Sequence, residues 1–354
     1  MFNTLQDIAQ NIQIESNFRI SHPDYTSLEV ANELVEKLQQ LPDEIQSRYL
    51  SLQLRNFIHS IYYKGCQTPL DKQLEPSKSS PSEASKSLVE NNTIHGLNLE
   101  FYEQLHQNNF GTGYFDDGWE IIKQESDHIL VVRKNGLTLH IERQNDLKTT
   151  EKSAQVGDTV AILMPHNSLE AEFYLAISNV GLPNYHEQIV NIYFNLQPET
   201  ALELMTRLTK KLNQLAIPFT FKVPCDPHDY KSYDSGILQI VKSHYLFIEP
   251  TLRSLYHRVG QHLDTPVPLF TKKLAPGLAI AEAPKLTTPN ITESFGIHRC
   301  QIVADALLAN WYMGKNSVQE RLESLKKYFS LLDIEWQHPY LNANSQDIYE
   351  LLVV

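Results

Sequence analysis

Residues 188–223 restrict the fold of this chain more than any other stretch, because the hydrophobic period changes there twice in quick succession. Residues 189–195, rich in Ile, Val, Tyr and Phe, read as a strand. Pro198 then stands at the favoured first position of a helix, and Ala201, Leu204, Met205, Leu208, Leu212 and Leu215 recur on one helical face. Pro218 stops that helix, after which Phe219, Phe221 and Val223 alternate with Thr220 and Lys222 at the period of a strand. A strand, helix, strand unit needs a sheet with a helix laid on it. The sequence is therefore read as α+β, a mixed sheet with flanking helices, preceded by a small helical N-terminal domain.

Further elements fit this reading. Residues 129–133 and 137–141 flank Asn135 and Gly136, the pair that best suits a two-residue hairpin turn. Strands are expected at 160–164, 173–178 and 236–241, and helices near 99–105, 245–263, 299–313 and 318–332. In the N-terminal part, Leu28, Ala31, Leu34, Val35 and Leu38 recur at helical spacing. Pro42 and Asp43 mark a turn, and Ile45, Tyr49 and Leu52 begin a second stripe. Residues 67–92 are rich in Ser, Lys, Glu and Pro and poor in aromatics. The expected organisation is a helical domain at 1–66, a linker at 67–93 and the main α+β domain at 94–354.

Charge and cysteine usage narrow the partners. Thirty Lys and Arg against 42 Asp and Glu give a net charge of −12, which opposes the broad basic face that nucleic-acid binding requires. The longest apolar runs fall far short of the roughly 20 residues of a membrane helix. No secretory signal follows Met1, so the expected location is the cytoplasm, with export by type III secretion left open. Cys66, Cys225 and Cys300 are too far apart for a metal site and are read as small buried hydrophobes.

The common motifs of nucleotide, zinc and serine-hydrolase chemistry are absent. There is no phosphate loop, His186 and Glu187 lack a second His four positions on, and no Gly, X, Ser, X, Gly elbow occurs. Several cations stand in conspicuous settings: Lys222 on its alternating strand, Lys231 beside Tyr230, the pair Lys272 and Lys273, and His298 with Arg299. Each has a plainer reading. Lys222 suits the solvent side of a strand, Lys272 and Lys273 an edge, and Asp226, Asp229 and Asp234 the turns of a Pro-containing loop. His298 and Arg299 precede an apolar helix, where cations oppose the helix dipole, and this favours an anionic partner.

Three runs in order, 217–223 (Ile-Pro-Phe-Thr-Phe-Lys-Val), 268–277 (Pro-Leu-Phe-Thr-Lys-Lys-Leu-Ala-Pro-Gly) and 294–300 (Ser-Phe-Gly-Ile-His-Arg-Cys), resemble the HopA-type effector family over about residues 110–313. That family resembles, at a distance, the phosphothreonine lyases secreted by enteric pathogens, and some of its members eliminate phosphate from phosphoserine or phosphothreonine in a peptide to leave a dehydroamino acid. The resemblance implies a phosphorylated peptide substrate, a separate kinase that supplies it and no cofactor. It assigns Lys222 as the base, Lys231 and Arg299 as phosphate contacts and Lys272 or Lys273 as auxiliary charge. Where the lyases carry a general-acid His on the strand before the helix, this chain has Asn191, which leaves Tyr193, His186 or His298 for that role. Gln239 stands where a tyrosine is common. The alternative within the same scaffold is a non-catalytic, peptide-binding effector-like protein.

Overall fold

The computed structural model describes residues 2–66, 93–94, 97–170, 172–285 and 294–352. The expected linker lies outside the described residues except for Thr93. The chain begins with α1 (Phe2–Asn11), the short strands β1 (Gln13–Ile14), β2 (Ile20–His22) and β3 (Tyr25–Leu28), then α2 (Asn32–Gln39) and α3 (Asp43–Ile58), which runs into a π-helical turn at His59–Tyr63. The two expected N-terminal helices are present as α2 and α3, but Leu28, read as the start of the first helical stripe, ends β3, and the small antiparallel sheet between α1 and α2 is missing from the sequence reading. Strands this short show no period, and the turn between them depends on Phe18 at φ 63°, a conformation its residue type does not advertise.

Next come β4 (Thr93–Ile94), β5 (Leu97–Asn98) and α4 (Leu99–Asn108), followed by a four-stranded lobe of β6 (Tyr114–Gln124), β7 (Ile129–Lys134), β8 (Leu137–Glu142) and β9 (Thr159–Met164) in the order β8-β7-β6-β9. Asn135 and Gly136 both take positive φ at the β7–β8 turn, as their residue types require. The lobe has its own core around Trp119, Ile121, Leu130, Val132 and Ile162.

The main sheet has seven strands: β10 (Asn167–Glu170), β11 (Phe173–Ile177), β12 (Ile189–Phe194), β13 (Thr220–Pro224), β14 (Gly236–Val241), β15 (Lys272–Ala275) and β16 (Leu278–Glu282), in the order β10-β11-β13-β14-β12-β16-β15. Its helices are α5 (Pro198–Gln214), α6 (Tyr245–Val259), α7 (Phe295–Tyr312) and α8 (Val318–Leu331). The expected unit is there as β12, α5 and β13. However, β14 is inserted between its two strands and is antiparallel to both. The α+β class holds, while hydrogen bonding between neighbours is antiparallel throughout; β12 and β13 point the same way but do not touch.

Strand alternation decides what each face does. Phe221, Leu238, Ile192 and Ile280 lie opposite one another across the strands on one face, all fully buried with Phe219 and Val223. The predicted face of α5 is buried in the same core, apart from the partly buried Leu215, and each such side chain contributes about 1.5–3 kcal/mol. Leu5, Ile8, Leu54 and Phe57 belong to this core too, because α1 packs on α8 and α3 on α7. The other face is covered over β12 by the rings of Tyr63 and Phe295, which meet Tyr193. Towards β10 it is open. The C-terminal stretch 333–352, without helix or strand, is tied to the β15–β16 end, where Leu352 donates to the Leu274 carbonyl and Glu282 N–H to that of Tyr340.

Candidate functional site

The open face forms the floor of a cleft of about 1300 Å³. Register builds that floor in two rows. Ser168, Leu175, Lys222, Ile237 and Tyr193 face one another across β10, β11, β13, β14 and β12, and Ile177, Thr220, Gln239 and Asn191 form the row beside them. The wall residues come from elsewhere: Tyr63 from the π-helical turn, Tyr114 and Met164 from the lobe, Tyr185 and His186 from the loop before β12, and Ala343 and Ser345 from the C-terminal stretch. Gly296 makes one of these approaches possible, since a Cβ there would sit 2.5 Å from the Tyr63 ring.

The floor is a chain of neutral hydrogen bonds. Tyr185 Oη donates to Gln239 Oε1 at 3.3 Å, and Thr220 Oγ1 donates to the same oxygen at 3.2 Å. Gln239 Nε2 donates to Asn191 Oδ1 at 2.9 Å, and Asn191 Nδ2 to Tyr193 Oη at 3.1 Å. Burial raises the pKa of the Tyr193 phenol well above its ordinary value, so the hydroxyl stays neutral. Lys222 rises from the floor rather than standing in open water, with Nζ 3.3 Å from Glu170 Oε2 and 4.6 Å from the centre of the Phe173 ring. Asp234, read from sequence as a turn residue, also lines the cleft; burial raises its pKa although the Ser232 hydroxyl donates to it. The described residues contain no group of three or more His, Cys, Asp or Glu able to hold a metal ion, and no helix among them is long and apolar enough to cross a membrane.

Of the residues singled out in the sequence, Lys222, Tyr193 and His186 line the cleft together, and the remaining cations do not join them. Arg299 is fully buried inside α7. Its Nε donates to the Pro339 carbonyl at 2.7 Å, one terminal nitrogen to the Leu341 carbonyl at 3.0 Å and Asn342 Oδ1 at 3.4 Å, and the other to His298 Nδ1 at 2.7 Å. A guanidinium committed to backbone carbonyls has no fork left for a phosphate. Burial, with Arg299 beside it, holds His298 down at about 4, so it is a neutral acceptor outside the cleft, and the two cations expected at this helix start reduce to one. Burial also lowers the pKa of Arg299 to about 10, which leaves it protonated at neutral pH.

The lysines are dispersed as well. Lys272 pairs with Asp347 at 2.6 Å beyond the covered end of the sheet. Lys273 is exposed, and although it shares the row of Lys222, four strand spacings put it roughly 19 Å away. Lys231 is exposed on the loop before β14 and is not part of the cleft wall. Among the cysteines, Cys225 and Cys300 are buried as expected and Cys66 is exposed.

The covered end holds a polar cluster that the sequence reading missed. Glu282 is fully buried and accepts from Lys242 Nζ at 2.6 Å, Ser345 Oγ at 2.7 Å, Tyr349 Oη at 3.0 Å and Asn342 N–H at 2.9 Å. Lys242 also donates to Ser345 Oγ and the Gln346 carbonyl. Glu282 and Lys242 are 40 residues apart and their other partners lie 60 to 104 residues away, and no local pattern announces them.

A family model described as the HopA1 effector protein family matches residues 164–341, half of the chain, including the whole main sheet but not the lobe or the N-terminal helices. Two solved structures are similar in part. One is the effector protein from Pseudomonas syringae pv. tomato strain DC3000, at 15% identity and a TM-score of 0.42, covering 84% of this chain and 100% of that one. The other is the effector protein from Pseudomonas syringae pv. syringae strain 61, at 13% identity and 0.43, covering 88% and 94%. No curated protein matches the chain.

Proposed function

The chain belongs to the HopA1 effector protein family, and from that premise we propose that it is an effector-type protein that binds an extended peptide in the cleft without transforming it. The observation that carries this reading is the hydrogen-bonded row of the cleft: Tyr185 from the wall with Thr220, Gln239, Asn191 and Tyr193 from the floor are neutral and joined to one another, and Gln239 and Asn191 carry amide groups of the kind that pair with peptide backbone. The cleft also exceeds the roughly 300–1,000 Å³ of ordinary small-molecule pockets.

Phosphate elimination is the second reading, favoured by Lys222 standing in the cleft on the strand that carries the family resemblance. In that reaction the Lys222 amine takes the Cα proton, the electron pair forms the Cα=Cβ bond, and the Cβ–O bond breaks with phosphate leaving. Efficient elimination also needs cations on the leaving phosphate. Here Glu170 is the partner of Lys222, Lys242 is committed to Glu282, and Arg299 is committed to carbonyls.

One experiment separates the two. Synthetic phosphothreonine and phosphoserine peptides are incubated with the protein, and both bound fraction and peptide mass are measured. Peptide held and recovered intact supports binding; loss of phosphoric acid that disappears in Lys222→Ala establishes the lyase. Failure of a broad peptide library to bind at all counts against both.

A further inference from the structure

Among the described residues that line the cleft, Asp234 is an acidic group that the peptide-binding reading does not use. It sits on the loop entering β14, three residues before Ile237, surrounded by protein yet with surface facing the cleft. The Ser232 hydroxyl and its own backbone N–H donate to it. Among the described residues no Lys, Arg or His forms an ion pair with it. The groups that face it are Tyr63, Lys64 and Cys66 from the π-helical turn and the residues after it, Tyr193 from β12 and Lys222 from β13, and the two lysines act from beyond contact. Lys222 instead meets Glu170.

A carboxylate withdrawn from bulk water without a cation is destabilising unless something completes it. Nearby, the amide and hydroxyl row of the floor offers hydrogen bonds to a chain lying over it, and the charge of Lys222 in the adjoining row is taken up by Glu170. We infer that Asp234 is the specificity group of the cleft and receives the ammonium or guanidinium of a lysine or arginine side chain of the bound peptide. This deepens the peptide-binding reading and rests on it for the peptide, though not for the charge.

The test uses the full chain at neutral pH and three probes followed by NMR titration: N-acetyl-arginine amide, its neutral counterpart N-acetyl-citrulline amide, and a tetrapeptide with arginine flanked by glycines. The arginine probe should bind at least tenfold more tightly than the citrulline probe, and Asp234→Asn should abolish that difference while Glu120→Gln, exposed on β6 away from the cleft, leaves it within about twofold. Equal affinity of the arginine probe for wild type and Asp234→Asn, or no binding to wild type, overturns the proposal. If the small probe discriminates but flanking glycines add nothing, the Asp234 site stands and the extended-peptide reading falls.

A second measurement guards against misfolding. Because burial raises the folded-state pKa of Asp234, the ligand-free protein loses stability as pH rises through that pKa. Asp234→Asn should therefore melt higher than wild type at pH 7. A lower melting temperature would mean that the carboxylate is already satisfied, and would overturn the inference equally.

Discussion

The two ends of the main sheet carry similar polar residues put to opposite uses. At the β15–β16 end, Glu282, Lys242 and Arg299 meet partners from the C-terminal stretch and are buried or nearly so. At the open end Lys222 and Glu170 form a partly exposed pair beside the neutral hydrogen-bonded row of the floor. Side-chain type thus says little about role. What distinguishes the ends is whether a later segment of the chain arrives to cover them. The cations that look most like a phosphate cradle are those that fasten the C-terminal stretch.

This contrast can be broken most severely at Arg299. Arg299→Ala removes the donors to Pro339 and Leu341 and leaves buried carbonyls unpaired, so it should cost about 3–5 kcal/mol and expose residues 333–352 to protease; denaturant melts and limited proteolysis check both. An unchanged digestion pattern would sink the proposed fastening role. Gly296→Ala comes next, at about 1–3 kcal/mol, because its methyl would collide with Tyr63. It should also disturb the cleft, visible as shifted tyrosine fluorescence.

Acid provides a gentler probe of the covered end. His298 is held at about 4 by burial, so the folded state takes up its proton later than the unfolded chain does. The stability its neutral form contributes is present above pH 6.5 and is lost as pH falls toward 4, on the order of 1 kcal/mol after allowance for solvent screening. His298→Gln should flatten the melting temperature across that window. The smallest effect belongs to the open end. Lys222→Ala should change stability by no more than about 0.5 kcal/mol, since its ion pair is partly exposed, while removing any elimination activity.

Local periodicity explains how much the sequence disclosed. The change of period around α5 identified β12, α5 and β13, and alternation alone placed Lys222 on the face away from Phe221. Asn135 and Gly136 fixed the β7–β8 turn for the same reason. Roles set by distant partners were not legible. Arg299 reads as an anion ligand until the carbonyls some 40 residues later are seen beside it. Asp234 sits among Ser232, Ser235 and Gly236, which is a turn signature, and nothing local shows that the turn borders a cleft. Tyr63 carries no signal at all, because its place depends on the close approach of α7 at Gly296.

The insertion of β14 between β12 and β13 also bears on how the cleft is assembled. The two strands joined by α5 do not bond to each other, and a third strand that follows them in the chain lies between them. That strand brings Gln239, the middle of the relay between Tyr185 and Asn191. Without β14 the hydrogen-bonded row would be broken in its middle, so the cleft floor depends on the strand inserted between β12 and β13.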